Sequence, residues 1–288
     1  MLNLYLSLIK FSHTIFALPF ALIGFYLAYV KYQPTDFIAK FILVLLAMIF
    51  ARSSAMAFNR YVDREIDAKN PRTKDREIPS GKISNRAAIW FVTLSMLAFV
   101  FTTSFINKLC FFLSPIALLV ILGYSFTKRF TWLCHYVLGL GLALAPIGAY
   151  LTISGEFGIL TIILGICVFF WVGGFDIIYA LQDASFDASF HLKSIPAHFG
   201  IKKAIIISRI SHVLSSIFLF WGVFLMNQQY PSIGSLTWVA FGFFNILLIR
   251  QHLLVNFKNL SQINQAFFTT NGMASVVLGS FIILDLFI

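Results

Sequence analysis

The sequence predicts an all-α polytopic membrane protein, with nine transmembrane helices in one bundle and residues 1–288 forming a single domain. Three observations carry this reading. Of the residues, 59% are hydrophobic and only 11% are charged, whereas soluble domains carry roughly 25% charged residues. Apolar stretches of about 18 or more residues recur along the whole chain, each long enough to cross a bilayer as a helix. The stretches are continuous; a β-barrel would show short alternating segments instead.

The elements follow in order. Residues 1–11, MLNLYLSLIKF, read as an amphipathic segment on the membrane surface. The first span runs from about His13 to Tyr29 with Pro19 and Gly24 inside it, tolerated where neighbouring helices cover the freed backbone. The second covers about Ile38 to Phe58. A polar loop from Arg60 to Arg86 follows, turning at Pro71, Pro79 and Gly81. The third and fourth spans, about Ala87 to Ile106 and Leu109 to Phe126, are joined by a very short turn. The fifth, about Trp132 to Ile153, passes through SGEFG into the sixth, about Ile159 to Leu181. A second polar loop, Gln182 to Lys203, precedes the seventh span at about Ala204 to Met226. The eighth and ninth are about Leu236 to Leu254 and Ala266 to Leu286.

The net charge of +10 belongs to the loops. With the N-terminus inside, Lys31, Lys40 and Lys108 are the only basic residues outside, and the other 18 of the 21 Lys and Arg lie at or near the inner side. This predicts a bacterial-type inner-membrane protein whose N-terminus and polar loops are cytoplasmic. Nucleic-acid binding is excluded, because no basic domain stands outside the spans. Cys110, Cys134 and Cys167 have neither metal-ligand nor redox spacing and read as packing residues. No cleavable leader and no obligate protein partner are expected.

Chemistry is concentrated at two places. Asn59, Asp63 and Asp67 stand at i, i+4 and i+8, one face of a helix. Asp176, Asp183 and Asp187 stand at i, i+7 and i+11, again one face. The chain has only 11 acidic residues, and eight fall in these two stretches. Stacked carboxylates repel unless a cation lies between them. Solvated helix ends would explain a lone Asp but not clustered, duplicated carboxylates in so charge-poor a chain. Mg²⁺ prefers oxygen and is usually held by one or two carboxylates plus substrate phosphates, so the two clusters suit ions that bridge a diphosphate. Arg72, Lys74, Lys128, Arg129 and Lys193 are candidates to neutralise its oxygens. Metal and cation together would help a diphosphate leave and yield a carbocation. Arg52, about two turns before Asn59 on the same face, either snorkels to the interface or binds an anionic group. His13 reads as an interface histidine. A faint repeat supports two half-sites: Asp63 and Asp67 lead to IPSGK, and Asp183 and Asp187 lead to Ile195-Pro196, then Gly200 and Lys202.

These residues resemble the UbiA-type intramembrane aromatic prenyltransferase family. The resemblance rests on N-x-x-x-D-x-x-x-D at Asn59, Asp63 and Asp67, on D-x-x-Y-A-x-x-D-x-x-x-D at Asp176, Tyr179, Ala180, Asp183 and Asp187, and on Y-x-x-x-K at Tyr124 and Lys128. The segments NPRTKDREIPSG, LKSIPAHFG and KFSHTIFALPFALIG are similar too. The second motif departs after Asp187, where Ala188-Ser189-Phe190 replaces the more charged run of many relatives. The resemblance implies a helical bundle around a central cavity with a cytoplasmic cap. It implies that Asn59, Asp63 and Asp67 bind one Mg²⁺-diphosphate face and that Asp183 and Asp187 bind the other. Tyr124 and Lys128 would lie near the diphosphate, and Tyr179 near the substrate. The implied partners are a polyprenyl diphosphate and a small aromatic acceptor, 4-hydroxybenzoate or, in a close relative, a dihydroxynaphthoate of menaquinone synthesis. The expected reaction is electrophilic aromatic substitution, with Asp176 or Asp183 taking the ring proton and Arg52 holding an acceptor carboxylate. Prenyl transfer to haem and secondary transport are the competing readings. The acids sit at the cytoplasmic ends of spans rather than near the midplane, which disfavours transport.

Overall fold

The computed structural model describes residues 2–10, 16–255 and 260–288, and among these every regular element is helical. In chain order they are α1 (Leu2–Leu8), α2 (Leu18–Tyr32), α3 (Phe37–Val62), α4 (Arg64–Lys69), α5 (Asn85–Ser104), α6 (Lys108–Thr127), α7 (Cys134–Ser154), α8 (Ile159–Ala180), α9 (Ala184–Ser189), α10 (Ile195–Gln229), α11 (Ser235–Leu254) and α12 (Asn271–Asp285). Among the described residues, eight helices are long and apolar enough to cross a membrane. The expected first span is shorter: α2 has 15 residues and begins at Leu18. Pro19 sits in its first turn rather than inside it, where a missing N–H costs nothing. His13 lies outside the described residues.

Packing divides the chain into two compact units. The first comprises Met1–Thr14 and Ile38–Phe126. Its core joins Leu8, Ala57, Ile78, Ile83, Ala88 and Val92, and the Tyr5 ring lies 4.9 Å from that of Phe91. The N-terminal segment, expected on the membrane surface, thus gives Leu8 to a protein core.

The second unit comprises Ile15–Phe37 and Thr127–Ile288. At its centre is α8, which packs against α7 and α10. A helix that is apolar all round is one that other helices enclose, and Trp171, Val172, Ile177 and Ile178 of α8 are fully buried. Small residues bring backbones together here, as in other membrane bundles. A Cβ on Gly24 of α2 would lie 2.1 Å from the Pro146 carbonyl oxygen of α7.

Both polar loops are more helical than expected. The first contains α4. The second contains a 3₁₀ turn, Leu181–Asp183, then α9 and the start of α10. That start has its own signals: the Ser194 hydroxyl oxygen accepts from the Ala197 N–H at 3.3 Å, and Pro196 occupies the first turn. The helix then bends at Gly200 (φ 78°, ψ 163°), a conformation that residues with a Cβ avoid. The ninth span opens with a π-helical turn, Gln265–Thr270, ahead of α12. Two buried amides serve its displaced carbonyls: Gln251 Nε2 donates to Ala266 O at 3.0 Å and Asn271 Nδ2 to Phe267 O at 2.9 Å.

Candidate active site

In the first unit the acidic cluster begins at the end of α3. The expectation of one unbroken helical face is corrected here: α3 stops at Val62, Asp63 has φ −88° and ψ 3°, and α4 restarts at Arg64. The i, i+4 relation survives through the backbone. Asp63 N–H donates to Asn59 O at 2.9 Å, and Asp67 N–H to Asp63 O at 2.7 Å. Asn59 Nδ2 donates to Asp63 Oδ2 at 3.1 Å. Asp67 is buried, and both its oxygens accept from Arg76 Nη1 at 2.8 Å. Thr73 Oγ1 donates to Asp67 O at 3.0 Å. The loop NPRTKDREIPSG is thus fastened to α4 by an ion pair and a hydroxyl.

Around this cluster the basic residues divide. Arg52 Nη2 donates to the Lys10 carbonyl at 3.2 Å, while its Nε is buried with no hydrogen-bond partner among the described residues. Arg60, one residue after Asn59, is 6% exposed, and its Nε is also buried and unpartnered. Arg72 and Lys74 are exposed in the loop, with Arg72 N–H on Asn70 Oδ1 at 2.9 Å. Tyr124 lies on α6 of the same unit. Sequence reasoning did not single out Arg60 or Arg76; their signal was a basic residue next to Asn59 and another nine places after Asp67.

The second unit carries the other cluster. The single face expected there is broken as well. Asp176 lies on α8, Asp183 closes the 3₁₀ turn and Asp187 lies on α9. Asp187 is fully buried, and Lys128 Nζ lies 2.7 Å from its Oδ1. Both its oxygens are buried, with the Lys128 ammonium and the Ser194 hydroxyl acting on them. Lys193 steadies the segment that carries Lys128 and Arg129: its N–H donates to Lys128 O at 2.7 Å and its Nζ to Phe130 O at 3.2 Å. Tyr179 stacks on Phe267 with ring centroids 4.2 Å apart. Asp176 Oδ2 meets His135 Nδ1 at 2.7 Å, a partner that no spacing in the sequence points to. A cavity of about 540 Å³ lined by Lys31, Tyr150, Glu156 and Tyr230 opens at the other end of this unit and contains none of the predicted site residues.

Each cluster fits Mg²⁺ in its donor chemistry. The donors are hard oxygens, and both oxygens of Asp187 are buried. Among the described residues no three His, Cys, Asp or Glu side chains converge as a protein-only metal site. An ion that takes one or two carboxylates and fills its remaining positions with phosphate oxygens and water needs no such site.

Comparisons with known proteins bear on this arrangement. The family model described as "UbiA prenyltransferase family" matches residues 17–273. A 4-hydroxybenzoate octaprenyltransferase of Vesicomyosocius okutanii subsp. Calyptogena okutanii (strain HA) is 30% identical over 240 residues, which are 82% of this chain and 84% of that protein. The apo structure of a UbiA homolog from Aeropyrum pernix K1 superposes with a TM-score of 0.84 at 30% identity, covering 95% of this chain and 98% of that one. A UbiA homolog from Archaeoglobus fulgidus bound to GPP and Mg²⁺ shares the fold, with a TM-score of 0.72 at 18% identity over 99% of this chain and 100% of that one. The family match runs through both acidic clusters and nearly all the spans, and the chain is therefore a multi-pass membrane enzyme that belongs to the UbiA prenyltransferase family.

Proposed function

We propose that this chain transfers a polyprenyl group from a polyprenyl diphosphate to 4-hydroxybenzoate, with Mg²⁺, in quinone synthesis. The observation that carries the reading is the pair of acidic clusters, each built from oxygen donors with a basic residue already engaged: Arg76 on Asp67 and Lys128 on Asp187. The family match and the octaprenyltransferase relative support the reaction and the acceptor, and the GPP- and Mg²⁺-bound homolog supports the donor and the metal. The match runs through both packing units, which favours one functional domain. The excess of Lys and Arg on one side of the predicted spans favours an inner-membrane enzyme with its N-terminus and acidic clusters cytoplasmic.

Asn59, Asp63 and Asp67 in one unit, and Asp183 and Asp187 in the other, would hold Mg²⁺. When bound, the metal supplies charge that stabilises the departing diphosphate. Lys128, Arg129, Arg72, Lys74 and Lys193 take phosphate oxygens, and Tyr124 binds the diphosphate. The prenyl C–O bond breaks and its electron pair leaves on the diphosphate. Tyr179 presents a ring face to the allylic cation. Arg52, whose buried Nε has no hydrogen-bond partner among the described residues, holds the carboxylate of the acceptor. The acceptor ring bonds the cation through the carbon ortho to its hydroxyl, and Asp176 receives the displaced proton.

The test is prenyl transfer by purified protein in lipid, with a long-chain polyprenyl diphosphate, Mg²⁺, and 4-hydroxybenzoate or 1,4-dihydroxy-6-naphthoate as separate acceptors. The expected result is a prenylated hydroxybenzoate that disappears without Mg²⁺ and in Asp63→Ala or Asp183→Ala. Product with the naphthoate alone would move the enzyme to the menaquinone branch. No product with either acceptor at several chain lengths would refute the aromatic acceptor.

A further inference from the structure

One buried histidine has no part in the chemistry above. His135, at the start of α7, is 2% exposed. It touches two other elements. Its Nδ1 lies 2.7 Å from Asp176 Oδ2 on α8, and its Nε2 lies 3.3 Å from the backbone nitrogen of Ile195, the first residue of α10. A backbone N–H only donates, so Nε2 must present its lone pair. The imidazole proton then sits on Nδ1 and is donated to Asp176. A doubly protonated ring would set Nε2–H against the Ile195 N–H. Ile195 is itself fixed, being fully buried and following the capping residue Ser194.

The result is a carboxylate whose direction is fixed at one oxygen. Asp67 and Asp187 are each neutralised by a cation, Arg76 and Lys128. Asp176 is held at one oxygen by the His135 ring, and its side chain is 22% exposed. A base needs both properties: a fixed direction and an oxygen that the substrate can reach.

We propose that His135 is a positioning residue that aims Asp176 as the base for the ring proton, an inference that rests on the reaction proposed above. In that step the new C–C bond has formed and the C–H bond at the same ring carbon breaks. Its electrons restore the aromatic ring, and its proton passes to the open oxygen of Asp176.

The experiment compares wild type, His135→Asn, His135→Gln, His135→Leu and Asp176→Asn, full length in lipid, using 4-hydroxybenzoate with and without deuterium at the ring positions ortho to the hydroxyl. An Asn amide stands near the imidazole Nδ1 and keeps a donor for Asp176. A Gln amide reaches toward the Nε2 position and loses it. His135→Asn is expected to hold kcat within about fivefold of wild type. His135→Leu and His135→Gln should lose roughly 10²-fold in kcat, with KM for the prenyl diphosphate within about threefold of wild type. Both should show a deuterium isotope effect larger than that of wild type, because proton removal becomes limiting; a merely structural histidine would not move that readout. His135→Gln decides the matter if His135→Leu fails to fold. Wild-type kcat in the Leu and Gln variants, equal loss in Asn and Gln, or a loss confined to KM would each overturn the proposal. Histidine ¹⁵N spectra of the wild type read the tautomer without any assay. A proton on Nε2 of His135 would overturn the positioning role even if no acceptor were turned over, whereas absence of transfer by wild type alone refutes the acceptor and not the His135–Asp176 arrangement.

Discussion

Lys128→Met separates the two things that Asp187 is asked to do. The ammonium sits 2.7 Å from a fully buried carboxylate. At an effective dielectric of about 20, unit charges at that distance attract by about 6 kcal/mol. Desolvation offsets much of this, and breaking a buried pair from one side costs about 3–5 kcal/mol because a charge is left buried alone. The Lys128 side chain is 32% exposed, so water screens and partly replaces it, and about 2–3 kcal/mol is the better figure. In a chain of this size that lowers Tm by roughly 5–10 °C. Asp187→Asn on the Lys128→Met background removes the stranded charge and should recover most of the loss. If Asp187 is also an Mg²⁺ ligand, millimolar Mg²⁺ should raise the Tm of Lys128→Met by more than it raises that of the double variant, since a ligand stabilises only the form that binds it. The assay is thermal unfolding by tryptophan fluorescence in detergent or nanodiscs, with Mg²⁺ or EDTA. A Lys128→Met Tm within about 1 °C of wild type, or a double variant no better than the single one, would refute the stranded-charge argument. Equal Mg²⁺ stabilisation of both variants would remove Asp187 from the metal site.

Three further perturbations have definite signs. Arg52→Ala should raise KM for the acceptor by about 10- to 100-fold, the value of a charged hydrogen bond, and that for the prenyl diphosphate much less; steady-state kinetics with each substrate varied would reject the acceptor role if the order were reversed. Gly24→Val should cost about 1–3 kcal/mol or more by driving α2 from α7, while Gly148→Ala, with nothing within 4 Å of its new Cβ, should be near neutral; similar unfolding temperatures for the two would show that the close approach does not matter. Burial pushes the Glu77 carboxyl up, but the Ser7 hydroxyl, the Glu77 backbone amide, Arg60 and Lys10 outweigh it and hold it below the ordinary carboxylate range. The stability it contributes is present above the unfolded carboxylate value and is lost as pH falls through the depressed folded one. Hydrogen exchange in α1 should therefore rise as the solution is acidified below about pH 4 in wild type, whereas in Glu77→Gln it should be high already at pH 7; a flat wild-type profile would break the link.

The spans were legible because hydropathy is local: each long apolar run had to be a helix whatever surrounded it. Both acidic clusters were legible for a related reason, since eight of 11 acidic residues cannot fall in two short stretches of an apolar chain without chemical cause. What the sequence hid is tertiary. Counting by fours put Asn59, Asp63 and Asp67 on one helix, but α3 ends at Val62; counting by sevens did the same across the 3₁₀ turn at Leu181–Asp183. The polar loops read as coil because charge outweighed short helices such as α4 and α9, which tertiary packing decides rather than propensity. Partner choice was hidden most completely. Arg76 is nine residues from Asp67, Lys128 is 59 from Asp187 and His135 is 41 from Asp176.

Those partners explain how so apolar a chain stores buried carboxylates. A bare buried carboxylate would take up a proton or unfold its surroundings. Asp67 and Asp187 avoid this by holding Arg76 and Lys128. On the proposed function, the incoming diphosphate makes the exchange nearly neutral in charge. Lys128 releases Asp187 for Mg²⁺ and takes a phosphate oxygen, so no charge is stranded at either end. Asp176 has no such exchange to make. Its partner His135 fixes one oxygen by geometry alone, and on the proposed function the other is the one that would accept the ring proton once the diphosphate has gone.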